Sequence, residues 1–204
     1  MVVKEMLIPE SKMVVRHSRT VRIEHWLIAL STILLIISAM GEIKVIHYVA
    51  AFVLILVSCL HVISHFIRKE FGLLQRKGDI KQSFKIIKAM LHGKAEPQHD
   101  KYLVEQRVAY TYIFICISVL IFTGFVKLLK EFSSTNDLAK SLKGIGELHN
   151  VATAALIIGI AAHLLAFYIR ENRPLLNGML TGKVDLEYVK SRHPIWHKKL
   201  NIRD

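Results

Sequence analysis

Four long apolar runs dominate the chain, at residues 23–40, 45–68, 108–129 and 148–170, and each is bounded by charged or polar positions. Runs of this length match the hydrocarbon thickness of a bilayer when wound as α-helices. The pattern therefore predicts an all-α integral membrane protein, a four-helix bundle forming one domain over residues 1–204. Gly41, Glu42 and Lys44 separate the first two runs, so these spans are expected as antiparallel neighbours. Between the second and third runs, Ile80, Phe84, Ile87 and Leu91 recur at helical spacing, with Lys81, Lys85 and Lys88 on the remaining surface. That is an amphipathic helix suited to an anionic membrane surface, with Asp79 as its expected cap. Thr123 and Gly124 mark an expected close-packing point on the third span. A polar loop with Ser133, Ser134, Asn136 and Asp137 leads into the fourth. Pro174 is expected to end any continuation of that span, and Asp185 to cap a last helix before His193 and Pro194 in a tail over 171–204.

Composition changes this picture in one respect. The chain is 52% hydrophobic yet carries a formal charge of +12, and its mean hydropathy is positive, at +0.38. Lys and Arg are segregated: five precede the first span, ten lie at 68–107 and eight from 170 onward. The positive-inside rule then places both termini and the middle loop in the cytoplasm of a cell inner membrane protein. Nucleic-acid binding is set aside, because apolar runs of this length have no place in a small soluble basic domain. Cys59 and Cys116 lack CxxC spacing and imply neither a disulfide framework nor a cysteine-ligated cluster. The basic lead before Trp26 does not read as a cleaved signal peptide, and the first run is expected as an uncleaved span.

The chemistry lies in the histidines. There are eleven, and topology sorts them by depth. His149 and His163 are fourteen residues apart on the fourth span, roughly 1400° of turn and about 21 Å of rise, so both leave one face at two levels. His47 and His61 repeat the interval on the second span. Intramembrane histidines are costly and usually functional, and bis-histidine haem requires two imidazoles from different helices at one depth. His47 with His149 meets that requirement near the outer side. For an inner haem His163 has two candidate partners, His25 and His61, and depth alone leaves both open. His17, His65, His92, His99, His193 and His197 are expected at interfaces or in solvent, and Trp26 as an interface anchor. Metal transport is disfavoured by the near absence of carboxylates along the spans. A haem-free membrane anchor or transporter is the remaining non-redox reading.

Particular segments then resemble a known family. RIEHWL at 22–27, IHYVAAF at 46–52, LHN at 148–150 with AAH at 161–163, KYLVEQR at 101–107 and GMLTGKVDLEYVKSRHPIWHKKL at 178–200 are similar to segments of the cytochrome b (gamma) subunit of membrane-bound formate dehydrogenases. That subunit belongs to the wider group of di-haem cytochromes b serving hydrogenases and thiosulfate or polysulfide reductases. The resemblance implies two haem b groups, the inner ligated by His25 and His163 and the outer by His47 and His149, with His61 as the alternative inner ligand. It also implies an iron-sulfur electron-transfer subunit and a catalytic subunit as partners, and a membrane quinone or analogous lipid-soluble carrier near Gln106. The family's Asn and Gly in that segment are replaced by Leu103 and Glu105, and a Trp and a His of the tail by Tyr188 and Arg192.

Overall fold

A computed structural model describes residues 13–92, 97–132 and 143–200, which excludes the polar positions at 133–137 and the side chain of Leu91. Helix α1 (Arg19–Met40) begins at Ser18, whose hydroxyl accepts the Val21 N–H at 3.3 Å, satisfying one of the donors a helix start leaves free. It ends where Gly41 N–H returns to Ile37 O. Glu42 then adopts a left-handed conformation, φ 54°, and Ile43 N–H bonds Ser38 O at 2.9 Å. This tight corner lays α2 (Lys44–Arg68) directly against α1, as the short connection predicts. Helices α3 (Asp79–Leu91), α4 (Val104–Phe132) and α5 (Lys143–Leu165) follow. Four of these, α1, α2, α4 and α5, are long and apolar enough to cross a membrane, and the protein is an all-α, multi-pass membrane helical bundle.

The bundle consists of two hairpins, α1 against α2 and α4 against α5. Gly159 brings the second pair together: a Cβ there would meet the Tyr112 ring at 2.6 Å, and Tyr112 in turn donates to Ala155 O at 2.8 Å. The hairpins meet in an apolar core of Leu54, Cys116, Ile117 and Leu156, with Ile28 and Leu35 packed on it. Their outward faces are exposed and apolar, as at Leu30, Phe52, Ile115 and Ile158, where lipid rather than water is the natural neighbour.

The fourth span is offset from its apolar run, its helix opening at Lys143, ahead of residue 148. Regular helix stops at Leu165, a 3-10 turn covers Ala166–Tyr168, and Ile169 is extended at ψ 118°. The side-chain amide of Asn172 donates to Ala166 O at 3.0 Å, satisfying a carbonyl that the broken helix frees. Pro174 is therefore not what ends the span. It opens the next helix, α6 (Arg173–Leu180), where a missing N–H costs nothing.

Beyond α6 the tail forms a plate across one end of the bundle. Strand β2 (Lys183–Asp185) pairs antiparallel with β1 (Met13–Val15), Val14 opposite Val184. Helix α7 (Leu186–Arg192) is capped by Asp185, whose carboxylate accepts from Glu187 N and Tyr188 N, and α8 (Pro194–Lys199) completes the plate. Its core is Val14, Val184, Leu186, Val189 and Trp196. Sequence periodicity had not indicated the small sheet.

Helix α3 docks on α4 through a polar side. Asp79 is its first residue and not its cap, Gly78 taking that place at φ 91°. The Asp79 carboxylate instead receives both Arg107 Nε and Nη2 at 2.8 Å. Ser83 and Ile86 are buried beside it, while Ile80, Phe84 and Ile87 are exposed. The apolar stripe thus faces away from the protein, flanked by lysines, as a helix lying in a membrane interface requires.

Candidate haem and carrier sites

The plate marks the basic end of the bundle, and two levels of histidine lie on either side of the apolar core. At the basic end His25 on α1 faces His163 on α5, ring centres 6.4 Å apart and planes inclined at 53°. Imidazole nitrogen binds a transition metal at about 2 Å, so two rings sharing one ion have centres roughly 6 Å apart. The observed separation fits that geometry. His25 Nδ1 is also buried with no hydrogen-bond partner. Around the pair, Trp26 meets the His25 ring edge-on at 5.3 Å and Phe167 meets His163 at 5.9 Å. Trp26 is half exposed and donates from Nε1 to Met179 O at 3.4 Å, so its role at the membrane edge includes a wall beside His25.

At the far end each histidine is held by a hydroxyl. Ser38 Oγ lies 3.2 Å from His47 Nδ1, and Thr123 Oγ1 lies 2.8 Å from His149 Nδ1. Fixing one ring nitrogen orients the other, Nε2, toward an open ligand position. Thr123 is fully buried, and a Cβ on Gly124 would meet His149 Cε1 at 3.5 Å. The expected close-packing point of the third span is therefore where α4 accommodates the His149 ring. The facing imidazoles of His25 and His163 are a donor set of the kind that holds haem b.

His61 is differently placed. Its Nδ1 is 2.9 Å from Glu24 Oε2, and its Nε2 is 3.3 Å from the Tyr110 hydroxyl. Glu24 is buried, accepts from Ser64 Oγ at 2.6 Å and has Arg68 Nη2 at 3.5 Å. The cluster joins α1, α2 and α4 at the basic end. It was not foreseen, although a carboxylate inside an apolar run demands a partner, and His61 and Arg68 are those available at that depth.

Gln106 caps α4. Its Oε1 accepts Leu103 N–H at 3.1 Å, with Arg16 Nη2 at 3.5 Å. Helix α4 starts at Val104, so a glutamine at the third helical position reaches back to the residue before it, the capping-box arrangement. Its side-chain NH2 remains as a donor. Leu103 is buried, Tyr188 donates to Glu171 O at 3.1 Å, and Arg192 donates to Asn172 Oδ1 at 3.3 Å.

Several histidines expected at the surface belong to the plate interior. His193 is fully buried, its Nδ1 2.6 Å from Asp100 O, and His99 is buried with its ring 6.4 Å from that of His193. Burial, with Arg16 nearby, pushes His193 down to about 4. His17 is pushed down to about 3 by burial and then by Arg16, Lys101, His25 and Arg22. Burial drives Tyr102 up to about 12. His92 is exposed, as expected.

The family model described as prokaryotic cytochrome b561 matches residues 16–182, a stretch that contains α1 through α6, and so all four spans and both histidine levels. No curated protein matches the chain.

Proposed function

The chain belongs to the prokaryotic cytochrome b561 family, a membrane cytochrome b of the hydrogenase and oxidoreductase type, and from that premise we propose its place in a respiratory complex. It is an electron-transfer subunit that holds haem b in a multi-pass membrane bundle. The finer reading is that of the membrane anchor of a formate dehydrogenase-type complex in the cell inner membrane. An iron-sulfur subunit and a catalytic subunit dock at the far end, both termini lie in the cytoplasm, and the membrane quinone pool is the electron acceptor.

Two haem b groups are held, one at each level. When bound, they supply the one-electron chemistry that side chains lack. His47 and His149 are the axial ligands of the outer group, oriented by Ser38 and Thr123. His25 and His163 are those of the inner group, and their 6.4 Å ring separation is the observation that carries this reading. His61 is left out because both of its nitrogens are already engaged. The free amide donor of Gln106 binds the carrier's carbonyl at the basic end, where protons reach the site from the cytoplasm. Electron entry at one side and proton uptake at the other would charge the membrane.

Purification with haem supplied during expression tests this. The expected result is a dithionite-reducible b-type spectrum with two haems per chain; a colourless, folded protein would end the reading. The same family match suits the anchor of a nickel-iron hydrogenase or a thiosulfate reductase; nickel in the co-purified catalytic subunit marks the first, and substrate turnover by a molybdenum subunit, formate against thiosulfate, separates the others.

A further inference from the structure

Two guanidinium groups at the basic end lack the anion their surroundings call for. Arg16 follows β1 and is 2% exposed. Its guanidinium lies between the rings of Tyr102, at 5.6 Å, and Trp196, at 5.4 Å. Nη2 donates to Lys101 O and reaches Gln106 Oε1, but Nη1 is buried with no hydrogen-bond partner. Arg22 repeats the pattern: Nη1 donates to Leu180 O at 2.6 Å while Nε is buried and unpartnered. Neither arginine has a carboxylate partner among the described residues.

The two converge on one turn of the tail. Gly182 O accepts both Arg16 N–H, at 2.8 Å, and His17 N–H, at 3.2 Å. A Cβ on Gly178 would lie 3.1 Å from Arg16 Cδ, and one on Gly182, at φ 86°, would lie 3.1 Å from Arg22 Nε. Both glycines therefore let the turn close over the cations. Arg22 is three residues before His25, so its Cα and that of the inner ligand share one helix face.

Burying an unpaired guanidinium is among the costliest arrangements a fold can hold, and orphaned buried N–H donors are rare. An unpartnered donor on the buried Arg16, and another at Nε of the partly exposed Arg22 one turn before His25, form a seat for a carboxylate. We propose that Arg16 and Arg22 bind a propionate of the haem held by His25 and His163. This rests on the haem reading given above and adds to it the orientation of the inner group, its carboxylates toward the tail. Charge-assisted bonds of this kind are short and strong. Because the two cations outnumber the one carboxylate between them, they also favour the reduced, less positive iron.

Redox titration of the purified holoprotein provides the readout. Arg16→Gln should lower the midpoint of the inner haem and leave the outer unchanged, with retention of the inner haem weakened about tenfold; Arg16→Lys should restore most of both. Arg16 also packs between two rings, so a second arm leaves the protein unaltered: wild-type apoprotein loaded with the dimethyl ester of haem b. The ester should show the same loss of retention at the inner site, with a midpoint that rises because a carboxylate charge is gone, and Arg16→Gln should add little to the loss of retention. Arg16→Gln protein with both haems at wild-type potentials would overturn the proposal. So would an ester bound at the inner site with wild-type affinity, or an Arg16→Gln effect that adds fully to that of the ester and disappears on delipidation, which would make the seat one for a lipid phosphate. A chain that binds no haem in any form would remove the functional reading itself, an outcome distinct from these.

Discussion

The two ends of the bundle solve the same problem with different materials. At the far end the spans supply everything: His47 and His149 lie on apolar helices, and a single hydroxyl from a helix fixes each, Ser38 from α1 and Thr123 from α4. At the basic end His25 and His163, the proposed inner ligands, have no such hydroxyl partner among the described residues. Their rings are flanked instead by Trp26 and Phe167, and the Trp26 indole N–H is tied to Met179 O of the tail. The far level is built within the membrane, and the basic level is built by docking a tail onto it.

This difference makes the two levels independent, and breaking one should spare the other. The largest effect is expected from His149→Ala, which removes an axial ligand: the protein should retain one haem of two, read by pyridine haemochrome per chain. A smaller and purely structural effect is expected at the basic end from Asp79→Ala. It leaves Arg107 buried without its carboxylate and should cost roughly 3 kcal/mol. Hydrogen exchange over 79–91 should rise sharply while both haems remain. Thr123→Val is milder. It removes the hydroxyl on His149 Nδ1 and should weaken retention of the outer haem about tenfold, with Ser38→Ala acting in the same direction and the inner haem unaffected.

The smallest effect concerns pH. His17 and His193 titrate near 3 and 4 in the folded plate, against 6.5 when unfolded. The unfolded tail therefore binds protons more readily, and the plate is at its most stable above pH 6.5. Stability is lost as pH falls from 6.5 through about 4 toward 3. Exchange over 183–199 should accelerate across that window, while the far half of α5 stays unchanged.

The sequence made the far end legible and the basic end only partly so. Fourteen-residue spacing on two spans placed His47, His61, His149 and His163 by helix geometry alone, because a membrane helix has few ways to arrange its side chains. It could not separate His25 from His61, because depth is shared. What distinguishes them is lateral: Glu24 and Tyr110 occupy both His61 nitrogens, and that arrangement exists only once three helices have packed. The β1–β2 pairing joins residues about 170 positions apart, and three-residue strands leave almost no alternation to read. Gln106 illustrates a subtler limit. The family resemblance implies it as a carrier ligand, and its carbonyl oxygen serves the helix start as well. The ends of the fourth span were less legible than its existence, because the helix opens in the polar stretch at Lys143 and Ala166–Ile169 is apolar yet not α-helical.

His25, His47, His149 and His163, and not His61, are the proposed ligands of the haem irons. Haem content and low-temperature spectra of His25→Ala and His61→Ala, expressed side by side, test this assignment most directly. The expected result is one haem in His25→Ala, with the inner absorption band missing, and two in His61→Ala with both bands in place. One haem in His61→Ala together with two in His25→Ala would contradict it.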